Sequence, residues 1–256
     1  MNTIRTVFLF STTALLFIGC KRLSKKEIKE NANKALTILS EKDHKKVFVS
    51  NIYKDKELGD LFLEKPNENI IQITNDKQNI SVLLLDTKRN GVIYGQSQND
   101  RKLPKLVEPL IINSPVRFSN YKIVFYDLNR DTLKGLLDLS SQNIMGIIEN
   151  MSFLDNGKTL TFQTHYGEIF FLDLNSPQKA VKFIPTVHYP SQFKFDELFN
   201  LKTDGKKNLI FDAISGYKSE KDKSYVYNTF QYNLESHQVK RITNTPFYLI
   251  EELVEE

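Results

Sequence analysis

Cysteine occurs once in 256 residues, tryptophan not at all, methionine three times and glycine ten times. With a single thiol no disulfide can form within the chain, so stability has to come from a packed core. The glycines are spread among turns. None gathers into a phosphate-cradling loop, and no Gly-x-Ser-x-Gly nucleophile elbow is present. The nearest approach, Ile214-Ser215-Gly216, reads as a strand end. Four histidines (His44, His165, His188, His237) are scattered without an i, i+4 pair or a cysteine beside them, so no metal centre and no cofactor is expected. What the chain has instead is 18 Phe and 11 Tyr within a 40% hydrophobic composition, enough for one sizeable, aromatic-rich domain.

The position of the lone cysteine is informative. Residues 1–20, MNTIRTVFLFSTTALLFIGC, combine a short start bearing Arg5, an apolar run from Val7 to Ile18, and Gly19-Cys20. A run of about a dozen residues is too short for the roughly 20 that a membrane-spanning helix needs, and reads as a secretory signal. Phe17-Ile18-Gly19-Cys20 resembles the lipobox of bacterial lipoproteins, with Phe17 where that motif prefers Leu. The resemblance implies cleavage before Cys20, diacylglycerol on its sulfur and an acylated new N-terminus. Two or more acyl chains suffice for stable anchoring. The implied address is the cell envelope. Lys21 stands where an Asp would signal inner-membrane retention in enteric bacteria, which favours the periplasmic side of the outer membrane.

The formal charge of +4 is unevenly placed. Residues 21–46 hold nine Lys/Arg against four Asp/Glu, and Arg5 adds one more. Residues 47–256 are therefore left near −2. A nucleic-acid footprint would put the positive charge on the folded body, so that partner is excluded. Lys21, Arg22, Lys25, Lys26 and Lys29 suit either anionic lipid headgroups or a solvated linker. Within this tether, SKKEIKENANKALTIL at 24–39 opens with a capping box, Ser24-x-x-Glu27, and places Ile28, Ala32, Ala35, Leu36 and Leu39 at helical spacing. The pattern predicts one helix from Ser24 to Leu39. The domain plan is thus a signal at 1–19, a lipid-anchored basic tether with a short helix at 20–46, and a folded body at 47–256.

From Val47 onward short β-branched and aromatic runs alternate with Asn, Asp, Gly and Pro, the all-β pattern. An outer hairpin recurs four times, at 60–75, 122–140, 168–185 and 228–244. Each is an aromatic-rich strand, a polar turn and a second strand. An inner turn also recurs, as Asn90-Gly91, Asn156-Gly157 and Asp204-Gly205, dipeptides that tolerate the positive φ of a tight hairpin. A meander of this size cannot bury both faces alone, so the copies must stack on one another.

These copies resemble the β-propeller repeat of TolB-type periplasmic proteins. Phe153-Leu154-Asp155-Asn156-Gly157-Lys158 with Phe171-Leu172-Asp173-Leu174 match its Asp-Gly-Lys turn and its Asp-Leu strand end. Asp204-Gly205-Lys206-Lys207 with Arg241-Ile242-Thr243-Asn244-Thr245-Pro246 match the same turn and the Leu-Thr ending. Most copies lack the Ser-Pro that precedes the turn in that family, and none has its Trp. The resemblance spans residues 47–254 and implies an all-β fold, a small propeller of four or five four-stranded blades. Four outer hairpins argue for four. A usual 40 to 45 residues per blade tips the reading toward five, with residues 101–119 as either an insertion or a degenerate extra blade. The first blade lacks an innermost strand in this reading. The C-terminal run Phe247 to Ile250 with Leu253-Val254 is expected to supply it and close the ring, removing exposed edges.

Chemistry is sparse. Asp127, Asn129, Asp131 and Asp138 lie at calcium-loop spacing, but Thr132 takes the place of the needed Gly, and a hairpin turn explains them better. Asp86, Asp155, Asp196 and Glu197 fall near the ends of innermost strands, where glycosidases of five-bladed type carry carboxylates. Tyr217, Tyr225, Tyr227 and Tyr232 sit on the longest hairpin, as contact rings or as packing between blades. The expectation is a non-catalytic interaction module that presents one mouth of the ring to another envelope protein or to cell-wall material. The alternative is a glycan-binding or glycan-active propeller.

Overall fold

The computed structural model describes residues 25–40, 44–51, 58–66, 69–75, 78–99, 118–183, 194–219, 224–243 and 247–249. Four antiparallel meanders follow one another along the chain. The first is β1 (Ala32–Ser40), β2 (Lys45–Ser50), β3 (Asp60–Glu64) and β4 (Ile70–Gln72). The second is β5 (Gln78–Asp86), β6 (Gly91–Asn99), β7 (Phe118–Asp127) and β8 (Thr132–Asp138). The third is β9 (Ile148–Leu154), β10 (Thr159–Thr164), β11 (Ile169–Asp173) and β12 (Ala180–Lys182). The fourth is β13 (Lys194–Thr203), β14 (Asn208–Ser219), β15 (Ser224–Asn233) and β16 (Val239–Arg241), with β17 (Phe247–Leu249) added on β15. The first strands stand side by side, β1 against β5, β5 against β9 and β9 against β13. The chain is a small β-propeller with four blades among the described residues.

The core lies between the blades. Val47, Leu61, Val92, Tyr94 and Tyr126 join the first blade to the second. Ile93, Ile123, Leu160, Phe162 and Leu172 join the second to the third. Leu154, Leu209, Phe211 and Phe230 join the third to the fourth. Such burial is what a stacked repeat requires, since one sheet leaves a face bare.

The recurring Asp-Leu strand end has a shared job. The N–H groups of Leu128, Leu174 and Leu234 donate back to the carbonyls of Asn90, Lys158 and Lys207 at 3.0, 2.9 and 3.0 Å. The preceding side chains of Asp127, Asp173 and Asn233 accept the N–H groups of their own turns. The polar residue shapes the turn while the leucine docks it on the neighbouring hairpin. At the inner turn of the third blade, Asp155, Asn156 and Gly157 all have positive φ (47°, 51° and 81°), as the Asn-Gly signal predicts.

Three expectations are corrected. The helix is short: α1 spans Lys25–Glu30, and residues 32–40 form the strand β1. Helical spacing at 32, 35, 36 and 39 gives way to strand alternation, which turns Leu36 and Ile38 toward the core of the first blade and leaves Leu39 57% exposed. Tertiary burial overrides local periodicity here. Ile28 packs α1 on the stacked rings of Phe48 and Phe62, and the Ser50 hydroxyl and the Lys29–Glu64 ion pair also tie it to the first blade. The propeller therefore begins before residue 47, and the first blade owns its innermost strand. Second, the C-terminal strand does not join the first blade. β17 pairs with Tyr225–Tyr227 of its own blade, because β14 and β15 run on past β16 and leave that edge free. Third, Gln98 pairs with Ser119 and Asn99 with Phe118, so β6 and β7 are neighbours in one blade and the segment between them is inserted within it; residues 100–117 lie outside the described residues. The signal and Cys20 lie outside the described residues.

Candidate functional site

In an antiparallel meander, alternate connections emerge at opposite ends. The turns after the second strands and the links between blades share one mouth. The turns after the first and third strands share the other.

At the first mouth, between the second and third blades, the turn after β10 is stitched to the link that precedes β9. His165 N–H donates to Ile147 O at 2.8 Å, and Gly167 N–H donates to Thr164 O at 2.9 Å. Gly146, at φ +100°, lets the Tyr166 ring lie on its backbone, since a Cβ there would stand 2.9 Å from Tyr166 Cδ2. Tyr166 is 56% exposed and Met145, next to Gly146, is 59% exposed. His165 Nδ1 lies 2.7 Å from Glu149 Oε1, and its ring meets Tyr166 edge-on at 5.9 Å. A carboxylate accepts and an imidazole N–H donates, so this contact fixes the orientation of the ring. Thr164 is fully buried, and among the described residues its hydroxyl has no hydrogen-bond partner. The result is an aromatic and thioether surface on a rigid turn, flanked by an oriented imidazole.

The sequence-derived candidates lie elsewhere. Asp86 is buried at the opposite mouth. Its carboxylate takes the N–H groups of Lys88 and Arg89 at 3.1 and 3.0 Å and the Arg89 guanidinium at 2.8 Å. The same guanidinium donates to Gly157 O at 3.2 Å, so Asp86 ties the second blade to the third. Asp155 is exposed at that mouth, 3.6 Å from Lys158. Asp86 and Asp155 are thus turn and bridge residues, not a carboxylate pair around a substrate. Asp196 and Glu197 lie in β13, and their side chains fall outside the described residues.

The calcium-spaced carboxylates diverge. Asp127 shapes its turn, Asp138 accepts Ser141 N–H at 3.2 Å, and Asp131 bonds Lys65 and Tyr126 at 3.1 and 3.0 Å. Burial pulls the Asp131 carboxyl up, but the bonds from Lys65 and Tyr126 and the charge of Lys65 and Lys45 outweigh it and hold it below the ordinary range. Burial first, then the Asp131 bond, pushes the Tyr126 hydroxyl well above the usual tyrosine range.

Tyr227 and Tyr232 are buried, which favours packing over a role as contact rings. Tyr227 meets Phe199 at 5.8 Å, and Tyr232 meets Phe183 of the third blade at 5.1 Å. Packing explains both. The side chains of Tyr217, Tyr225 and Ser215, and His188, fall outside the described residues. His44 is an exposed turn residue at φ 50°, and His237 Nδ1 lies 2.8 Å from Tyr232 OH. No spacing in the sequence singles out Glu149, Met145 or the ring of Tyr166. A bulky aromatic in so tight a turn was the available signal.

No protein-family model and no curated protein matches the chain. Solved structures do. An oligogalacturonate lyase in complex with manganese superposes with a TM-score of 0.53 at 9% identity, over 83% of this chain and 54% of its own. A candidate TolB from Agrobacterium tumefaciens gives 0.47 at 8%, over 86% and 66%. A mitotic checkpoint complex gives 0.44 at 13%, over 95% and 62%. The chain spans less than two thirds of the length of each. At these identities the likeness concerns the fold alone.

Proposed function

We propose that this is a lipid-anchored cell-envelope protein whose TolB-like propeller is a non-catalytic protein-interaction module, held to the periplasmic face of the outer membrane by acylated Cys20. The observation that carries the reading is exposed Met145 and Tyr166, on a link and a turn stitched together at one mouth. Aromatic and Met side chains are the ones enriched in protein interfaces, and a rigid presentation reduces the ordering cost of binding. The partner is another envelope protein or cell-wall material.

The test is crosslinked co-purification of the full-length protein from its own envelope, beside Cys20→Ala and Tyr166→Ala/Met145→Ser variants. A specific partner lost in both variants supports the reading. A partner retained by the mouth variant overturns the assignment of the mouth.

A glycan-binding or glycan-active propeller is the second reading, favoured by the His165–Glu149 pair beside an exposed ring. Thermal stabilisation by acidic or neutral oligosaccharides, lost on Tyr166→Ala, would select it.

A further inference from the structure

The outermost strand of the second blade differs from its counterparts. β8 has seven residues, whereas β4, β12 and β16 have three each. Short outer strands give another chain little to pair with, and a long bare edge is a template for strand addition. Nothing among the described residues pairs with the outer edge of β8. Its first four residues are exposed, Leu133 by 46%, and a Cβ placed on Gly135 would meet nothing within 4 Å.

One face of this strand also borders a cavity. Thr132, Lys134 and Leu136 alternate along β8, and with Arg130, Phe125 and Leu174 they line a space of about 250 Å³ between the second and third blades. The floor is apolar, and the rim carries Arg89, Arg130 and Lys134 beside one carboxylate, Asp127. Among the described residues neither the Arg130 guanidinium nor the Lys134 ammonium has a partner, while nearby Asp127 and Asp131 are engaged by their own turn, Lys65 and Tyr126. At the far end of β8 the charge reverses, with Asp138 4.0 Å from Lys122. The edge therefore has a basic start, an apolar pocket and an acidic end.

We propose that β8 is a docking edge that takes an extended acidic segment of a partner protein as a fifth strand of the second blade. Main-chain hydrogen bonds supply the affinity, an acidic side chain meets Arg130 and Lys134, and the next side chain on that face enters the cavity. This surface lies on the rim, apart from the mouth patch, and does not depend on it.

A library of labelled heptapeptides that alternate Glu or Asp with Val, Ile, Leu or Phe, and its Lys-substituted counterpart, tests the proposal by fluorescence anisotropy on the full folded domain. Acidic members are expected to bind and the Lys members not. Arg130→Ala/Lys134→Ala should weaken binding at least about tenfold, and added salt should weaken it further. Strand N–H groups alternate in direction, so of Leu133→Pro and Lys134→Pro one removes an outward donor. That variant is expected to keep its melting temperature and lose the peptide. The proposal is overturned if no acidic member binds at about 1 mM, if the Lys members bind equally, or if binding survives both the charge-removing and the proline variants.

Discussion

The side chain of Gln163 completes the backbone of Leu201 in the neighbouring blade. β13 carries a bulge: Phe199 pairs with Asp212 and Lys202 with Ile210, so two residues stand opposite one, and Asn200 has φ 51°. The ladder thereby misses groups that Gln163 supplies. Its Oε1 accepts Leu201 N–H at 3.3 Å and Asn150 Nδ2–H at 3.2 Å, and its Nε2 donates to Leu198 O. Gln163→Leu keeps the bulk but strands two buried backbone groups. A loss of about 3 kcal/mol is expected in urea unfolding, against under about 1 kcal/mol for the more accessible Asn150→Ala.

A hydroxyl at the end of the outer strand recurs as a clasp on the third strand. Thr74 Oγ1 accepts Leu61 N–H at 2.9 Å, Ser140 Oγ accepts Tyr121 N–H at 3.0 Å, and Thr243 Oγ1 accepts Thr229 N–H at 2.9 Å. Thr74 is the most enclosed of the three and also donates to buried Asp60 at 3.1 Å. Thr74→Val should cost about 2 kcal/mol and Ser140→Ala or Thr243→Val about 1 kcal/mol, ranked by thermal unfolding.

Asp204 is set for an acid limb in stability. Partial burial pulls its carboxyl up, but the N–H of Asn208, that of Lys206, the Asn208 amide and the N–H of Lys207 outweigh this and lower it. A carboxyl lowered in the folded state contributes stability that is present above its unfolded pKa, near 4, and lost as pH falls through the folded value. Urea midpoints should therefore drop from pH 6 to pH 3 more steeply in the native protein than in Asp204→Asn. Equal slopes would refute the assignment.

Gly91 has no room for a side chain. A Cβ there would stand 2.2 Å from the Phe125 ring and 2.6 Å from Tyr126 O. Its φ is ordinary, so the cost of Gly91→Ala is steric alone. About 3 kcal/mol is expected by denaturant unfolding, and Phe125→Leu in the same chain should recover part of it.

Tyr166→Ala should leave stability within about 0.5 kcal/mol, because the ring is more than half exposed. The co-purified partner should fall away in the same variant. Calorimetry beside the crosslinking experiment separates the two effects.

Much of the architecture was legible because a repeat states itself several times. Asp127-Leu128, Asp173-Leu174 and Asn233-Leu234 carry the same turn and the same leucine dock, and Asn156-Gly157 announces its own backbone angles. The mouth was less legible. Met145, Glu149 and Tyr166 come from a link, a strand and a turn, and no spacing rule connects them.

Local chemistry, then, determined the strands, the turns and the repeat, since each rests on neighbours within a few residues. Packing between distant segments decided the rest. Whether residues 32–40 coil or extend depended on an inner position of the first blade that only β2 could pair with. Which blade received β17 depended on how far β14 and β15 overran β16. That Asp86 holds two blades together, and does not face a substrate, depended on Arg89 reaching Gly157 across the interface. Such choices follow from contacts far apart in the chain, and only the stacking of one blade on the next brings those groups within bonding distance.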